Sequence, residues 1–414
     1  MRERVAGPLA GVRVLEVGTY VFVPSSAAVL ADWGADVLKI EHPRYGDPVR
    51  RTSAWGVPAE VEGVAHLFEF SNRGKRSIGL DITTDEGRDI LLRLVDGVDV
   101  FLTNLLPATQ RKLGIEPADI LARNPRIVYG RGSAQGPRGP QADRGGFDGI
   151  TFWGRSGAAM GATAPDQAFP TPMPGPGFGD LQTGMALAGG VAAALYKRSV
   201  TGEGVVVDVS LMSAGLWAMG MTISGASVLG ADELPHQDHF ASGNPLTNVY
   251  RTRSGEFIAL GFLQSDRYWP EFCHVADRLD WIADPRFATA DDRKVHATEC
   301  ITMLDELFAQ HDLAEWTAIL GRQEGQWDVL LKAGRVIDDE QALANEFVQQ
   351  VEHDGFGAIT LVPAPAQFNG EVSELGRAPK LGANTDEVLV SLGCDAELIA
   401  DLRARGIVGP AAER

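Results

Sequence analysis

"VRVLEVGTYVFVPSSAAVLADWGADVLKIE", residues 12–41, is the stretch whose reading decides the fold. "VRVLEV" (Val12 to Val17) and "ADVLKIE" are short runs rich in valine, leucine and isoleucine, as strands are. Between them, "PSSAAVLADWG" opens on Pro24 and Ser25, spaces its apolar residues for a helix and stops at Gly34. The three segments together read as a βαβ unit.

The alternation continues outward. "DITTDEGRDILLRLV" reads as a helix with Thr83 or Thr84 as its cap and acids in its first turn, leading into "VDVFLTN" as a further strand. "EPADILARNP" and "RIVYG" repeat helix and strand. Strands alternating with helices predict an α/β fold, a Rossmann-like large domain with a mostly parallel sheet covered on both faces. From Gly130 to Asp180 the periodicity gives way to Gly, Pro, Ser and Ala, a length of loop that is usually functional. "TGMALAGGVAAALYKRS" then resumes as a helix, and "VVVDVSL" as a strand. The large domain is expected over 1–225. A smaller α+β domain is expected over 235–324, from the hairpin "NVYRTRSGEFIALGF", turning at Ser254-Gly255, and the helical stretches around Trp269, Trp281 and Trp316.

The chain has 414 residues, 44% hydrophobic and 22% charged, with a formal charge of −18. Such a field repels nucleic acid and anionic membrane, so neither is expected as a partner. Cys273, Cys300 and Cys394 have no ligand spacing and read as buried thiols. The first residues lack an apolar leader, and the apolar segment Met185 to Tyr196 is too short to span a bilayer, so a cytoplasmic protein is expected.

The motifs exclude several chemistries. No G-x-G-x-x-G follows the first strand, where Gly18 stands alone, and there is no P-loop and no G-x-S-x-G. "PHQDH" pairs His236 and His239 without a third ligand, and no metal site is expected. Arg50, Arg51, Arg73, Lys75 and Arg76 cluster near helix starts, where they would either hold phosphates or only solvate loops. Asp180 is the one acid in "PGPGFGDLQTGMALAGG". It has two readings: a helix N-cap, or a nucleophile kept ionised by the helix dipole and by the N–H groups of Leu181 to Thr183.

"LAGVRVLEVG", "VPSSAAVLADWGADVLKIEHPRYGDPVRR", "SNRGKRSIGLD", "DVFLTNLLP", "NPRIVYG", "ADRGGFDGI", "GDLQTGM" and "TGEGVVVDVSL" resemble, in order, the family III CoA-transferases of the formyl-CoA and carnitine-CoA transferase type. "FATADDR", "DDEQALANEF" and "APKLGANTDEVL" extend the resemblance through the second half. It implies a large domain built from both ends of the chain, with 325–414 as linker and return, and an interlocked homodimer. It implies acyl-CoA and a carboxylic acid as substrates, with no tightly bound cofactor.

The resemblance makes Asp180 the nucleophile, attacking an acyl-CoA thioester to give a mixed anhydride and then an aspartyl-CoA thioester. It places CoA contacts at Val21, Phe22, His42, Leu80, Asp81, Ile82, Thr83, Asn104, Leu105, Leu106, Lys112, Ala142, Asp143, Arg144 and Gly145. Three positions depart from the pattern: His42 stands for a frequent arginine, Val23 for a glycine and Asn384 for a histidine.

Related 2-methylacyl-CoA racemases shuttle a proton between an aspartate and the histidine of a "GHD" motif. Here "GGFDGI" puts Phe147 at that histidine, and Gln264 stands at a supporting glutamate, which favours transfer over racemisation. A CoA-binding protein without turnover, with Asp180 only a cap, is the remaining alternative. No run of glycines occurs in "YRTRSGEFIALGFLQSDRYW", which argues against formate–oxalate exchange. The apolar "FDGITFWGRSGAAM" suits a longer or bulkier acid.

Overall fold

The computed structural model describes residues 7–236, 238–240 and 242–409. β1 (Arg13–Val17), α1 (Phe22–Asp32), β2 (Asp36–Glu41), α2 (His66–Asn72), β3 (Arg76–Gly79), α3 (Asp85–Val95) and β4 (Val100–Thr103) build the first half of the large sheet. α4 (Pro107–Leu113), α5 (Pro117–Arg123), β5 (Val128–Ser133), α6 (Phe178–Thr201) and β6 (Val205–Ser210) complete it. The strands lie in the order β3-β2-β1-β4-β5-β6 and all pair in parallel. Two apolar helices, α7 (Leu211–Ala218) and α8 (Gly220–Leu229), follow.

Period-two alternation sends strand side chains to two cores. Leu15, Val17, Ile40 and Phe101 pack with Leu91, Leu94 and residues near the chain's far end on one face. Val14, Val37, Val100 and Leu102 pack on the other with Val23, Leu30, Leu187 and Val191 of α1 and α6. A Cβ on Gly184 would strike the Ser25 hydroxyl and come within 2.9 Å of the Phe22 carbonyl, so glycine lets α6 lie directly against α1. Thr84, not Thr83, caps α3, accepting from the Gly87 N–H at 3.1 Å.

The chain divides into two compact units. One comprises Met1–Thr163, Gln167–Leu234 and Glu340–Arg414, the other Ala164–Asp166 and Pro235–Asp339. The smaller unit carries a three-stranded antiparallel sheet, β7 (Thr247–Arg251), β8 (Phe257–Gly261) and β9 (Trp327–Val329). β9 lies just beyond the limit at 324 expected from sequence. Helices containing Trp269, Phe272, Ile301 and Trp316 bury one core beside that sheet. Within the larger unit, β10 (Gln349–His353) and β11 (Gly357–Leu361) form a hairpin, and α9 (Thr385–Ser391) and α10 (Ala396–Ala404) return to the first core.

Candidate active site

A cavity of about 690 Å³ opens at the carboxyl ends of β1, β4 and β5. Thr19 and Tyr20 line it after β1, Asn104 to Pro107 after β4, and Arg131 to Ala134 along the end of β5. In this strand order the crossovers reverse direction between β1 and β4, the place where open parallel sheets leave a crevice for ligands. The Asn104 amide closes the β1 turn, accepting from the Thr19 N–H at 2.9 Å and donating to the Thr19 carbonyl at 2.7 Å.

Asp180 lines this cavity from the first turn of α6. The cap reading of the sequence is corrected here. The helix begins at Phe178, its N-cap is Gly177 with φ +72, three residues before Asp180, and no side chain caps it. The reason is a close approach: a Cβ on Gly179 would lie 2.6 Å from the Phe152 ring, so "FGD" is helix packed against an aromatic ring rather than a loop.

The expected ionisation is corrected as well. Burial, and then the nearby Asp148 carboxylate, push the Asp180 acid up from an ordinary 3.8 to about 8.

Asp148 escaped the sequence reading, although it stands in the quoted "GGFDGI"; an acid beside the racemase-type position was the available signal. It is buried. Its carboxylate accepts from the Gly149 N–H at 2.8 Å and the Gly179 N–H at 3.2 Å. It thereby joins a π-helical turn, Gly149–Arg155, to the start of α6 immediately before Asp180. Burial raises its own acid too.

Of the residues expected to contact CoA, Phe22, Asn104, Leu105, Leu106, Ala142, Asp143, Arg144 and Gly145 line the cavity with Asp180. The others do not. His42, Asp81 and Thr83 gather beyond β2 and β3. There His42 Nε2 lies 3.8 Å from Asp81, and Asp81 accepts from the Thr83 hydroxyl at 2.6 Å. His42 Nδ1 accepts from the Arg44 N–H at 3.1 Å, so in the neutral ring the proton is on Nε2. Leu80 is buried in the core, Ile82 packs against it, and Lys112 is exposed in the last turn of α4. Val21 lines a different cavity.

The phosphate-holding reading of the basic cluster is corrected for Lys75 and Arg73, which are buried in ion pairs. Lys75 donates to Glu16 at 2.6 Å, Lys39 pairs with Glu16 at 2.6 Å and Asp47 at 2.9 Å, and all four side chains are fully buried. Arg50 pairs with Glu41, Arg73 with Asp32 and Arg76 with Asp36. Arg51 donates to the Tyr45 carbonyl. This network shapes the active-site turn, because Asp47 also accepts the N–H of Tyr20, which sits at φ +64, a strained value for a tyrosine.

The guanidiniums at the cavity are instead Arg111, Arg131 and Arg144. Arg131 is paired with Asp208 at 2.6 Å, and Arg111 sits 3.7 Å from both Glu116 and Asp143. Phe147 lines the cavity edge-on to Tyr20, with ring centroids 5.3 Å apart. Elsewhere, His239 contacts Asp305 and Asn248 within the smaller unit. Among the described residues no three histidines, cysteines or acids converge as metal ligands.

Residues 9–385 match the model of a family described as CoA-transferase family III. The chain is 31% identical over 405 residues to (R)-2-hydroxy-4-methylpentanoate CoA-transferase of Clostridioides difficile, covering 97% of this chain and 99% of the relative. It is 28% identical to cinnamoyl-CoA:phenyllactate CoA-transferase of Clostridium sporogenes, with 97% of each covered. The crystal structure of a CAIB/BAIF family protein from Brucella suis superimposes with a TM-score of 0.81 at 27% identity, covering 94% of this chain and 100% of that one.

Proposed function

The chain belongs to CoA-transferase family III, and from that premise we propose that Asp180 carries an acyl group between coenzyme A and a carboxylic acid. The observation that supports this most directly is a carboxylate with no hydrogen-bond or ion-pair partner among the described residues, partly buried in a cavity shared with Asn104 to Leu106 and Ala142 to Gly145. Such a group is free to react.

A carboxylate oxygen of Asp180 attacks the thioester carbonyl carbon, the C–S bond breaks, and CoA leaves as thiolate with an aspartyl-acyl anhydride behind it. The thiolate then attacks the aspartyl carbonyl, expelling the first acid as carboxylate and leaving an aspartyl-CoA thioester. The acceptor carboxylate repeats the two steps in reverse. No net proton is taken up, so the site needs exclusion of water more than an acid–base pair. The three guanidiniums suit the phosphates of CoA, in a protein whose field otherwise repels anions. Phe147 offers no proton at the position where racemisation would require one.

We further read the chain as one half of a homodimer. α8 buries none of its residues, and Met221 and Val228 are 92% and 87% exposed. Trp217 on α7 is 87% exposed. No single helix among the described residues is long and apolar enough to cross a membrane, although α7 and α8, bent by 63° at their junction, together have that length and composition. A second copy covering α7 and α8 accounts for the apolar surface.

The mechanism is tested by incubating the protein with acyl-CoA and adding hydroxylamine or borohydride. Peptide mass spectrometry should find Asp180 modified, and Asp180→Ala should abolish exchange. An unmodified Asp180 across a broad acyl-CoA panel overturns the covalent route. Incorporation of deuterium from heavy water at the α-carbon of a 2-methylacyl-CoA would support the racemase reading in its place.

A further inference from the structure

A second cavity, of about 510 Å³, shares the turn that carries Asp180. Pro176, Gly177 and Leu181 line it, whereas Asp180 between them lines the first cavity. The chain divides in the same way after β1, where Val21 faces the second cavity and Phe22 the first. A Cβ on Gly177 would lie 3.3 Å from the Val21 side chain, so the Gly177 backbone and that side chain stand close together where the two cavities divide. Asp180 thus lines the first cavity while Gly177 and Leu181, on either side of it in the chain, line the second.

The two cavities differ in chemistry. The first is edged by Arg111, Arg131 and Arg144. The second is walled by valine, leucine, isoleucine and phenylalanine, among them Val61, Leu67, Phe70 and Ile359, and no lysine, arginine, aspartate or glutamate lines it. Its polar side chains are those of His66 and Thr360. Burial lowers the pKa of His66, which keeps the ring neutral. A formyl or acetyl group would leave most of this volume unfilled. A second carboxylate would enter it with no cation to meet it, and would lose its water without compensation.

We propose that the second cavity receives the body of the acyl group, and that the substrates are monocarboxylic acids with a branched-alkyl or aryl body, not dicarboxylic acids. The inference rests on Asp180 being the acyl carrier. It adds the charge and shape of what is carried, with the nucleotide end of CoA left on the arginine side.

The test compares 4-methylpentanoyl-CoA and 3-phenylpropanoyl-CoA with succinyl-CoA and glutaryl-CoA as donors to the purified protein. The apolar donors should exceed the dicarboxylic ones by at least about 100-fold in kcat/KM. Val61→Arg, an exposed position on the cavity wall, should move that ratio toward succinyl-CoA by about 10-fold or more. Equal or better use of succinyl-CoA, or a ratio unmoved by Val61→Arg, overturns the assignment. Failure of the carrier role shows separately, as an unmodified Asp180 with all four donors. Calorimetric binding to Asp180→Ala decides the cavity in that event. Tighter binding of 4-methylpentanoyl-CoA than of succinyl-CoA sustains the assignment, and the reverse order overturns it.

Discussion

At the scale of the residue, the burial of Asp180 beside the Asp148 carboxylate has two measurable consequences. With its acid raised to about 8, Asp180 is mostly protonated at neutral pH, and only the ionised form is a nucleophile. kcat/KM, which reports the free enzyme, should rise with pH and level off above about 8. Asp148→Asn keeps an acceptor for the Gly179 N–H but removes the charge, and should lower that midpoint by about one unit. It should not restore the ordinary value, because burial is the larger cause. An unmoved midpoint would show that the Asp148 charge does not act on the nucleophile.

The second consequence concerns stability. A carboxyl group whose folded pKa lies above its unfolded one stabilises fully below the unfolded value, and that stability is lost as pH rises through the folded value. Asp180 thus costs stability progressively from near pH 4 to about 8. Asp180→Asn should be inactive yet more stable than the parent at pH 8, by about 1–3 kcal/mol once solvent access is allowed for. Denaturant midpoints measured at pH 5 and pH 8 should show a difference that is much larger at the higher pH.

At the scale of the element, α6 shows what was legible in the sequence and what was not. The alternation of strands and helices was readable because each element has its own period and its own stop signals, as Gly34 after α1 illustrates. The start of α6 was not, because Gly179 and Gly184 answer to Phe152 and α1, far away in the chain, while "FGD" alone reads as a loop. The basic residues were misread for the same reason. Lys75 and Arg73 look free in "NRGKRS", yet their partners Glu16 and Asp32 come from β1 and α1. Asp180, the proposed nucleophile, was singled out through family resemblance, whereas the Asp148 carboxylate beside it needed the fold. Gly184→Ala forces a methyl group into the Ser25 and Phe22 contact, and should cost about 1–3 kcal/mol. A lowered denaturant midpoint with an unchanged m-value would register that cost; no loss would mean that α1 can retreat.

At the scale of the whole molecule, the apolar surface of α7 and α8 needs a cover. Light scattering behind size-exclusion chromatography should give twice the chain mass. A double substitution, Met221→Glu with Val228→Glu, should lower the mass toward a single chain or leave the protein insoluble. An unaltered dimer would place the contact elsewhere.

The return of the chain's far end has a consequence for how the protein is made. Leu389, Ile399, Leu402 and Ile407 sit in the same core as Leu15, Phe101 and Leu91, and Val408 bridges to Leu80 beside β3. The sheet strands are synthesised by residue 210, but the cover of one of their faces, begun by α3 and α5, is completed only by segments made almost two hundred residues later. Throughout that interval on the ribosome an apolar sheet face is left without its final cover. A message truncated before α9 would yield a chain bearing every residue assigned here to catalysis and no means of keeping them out of an aggregate.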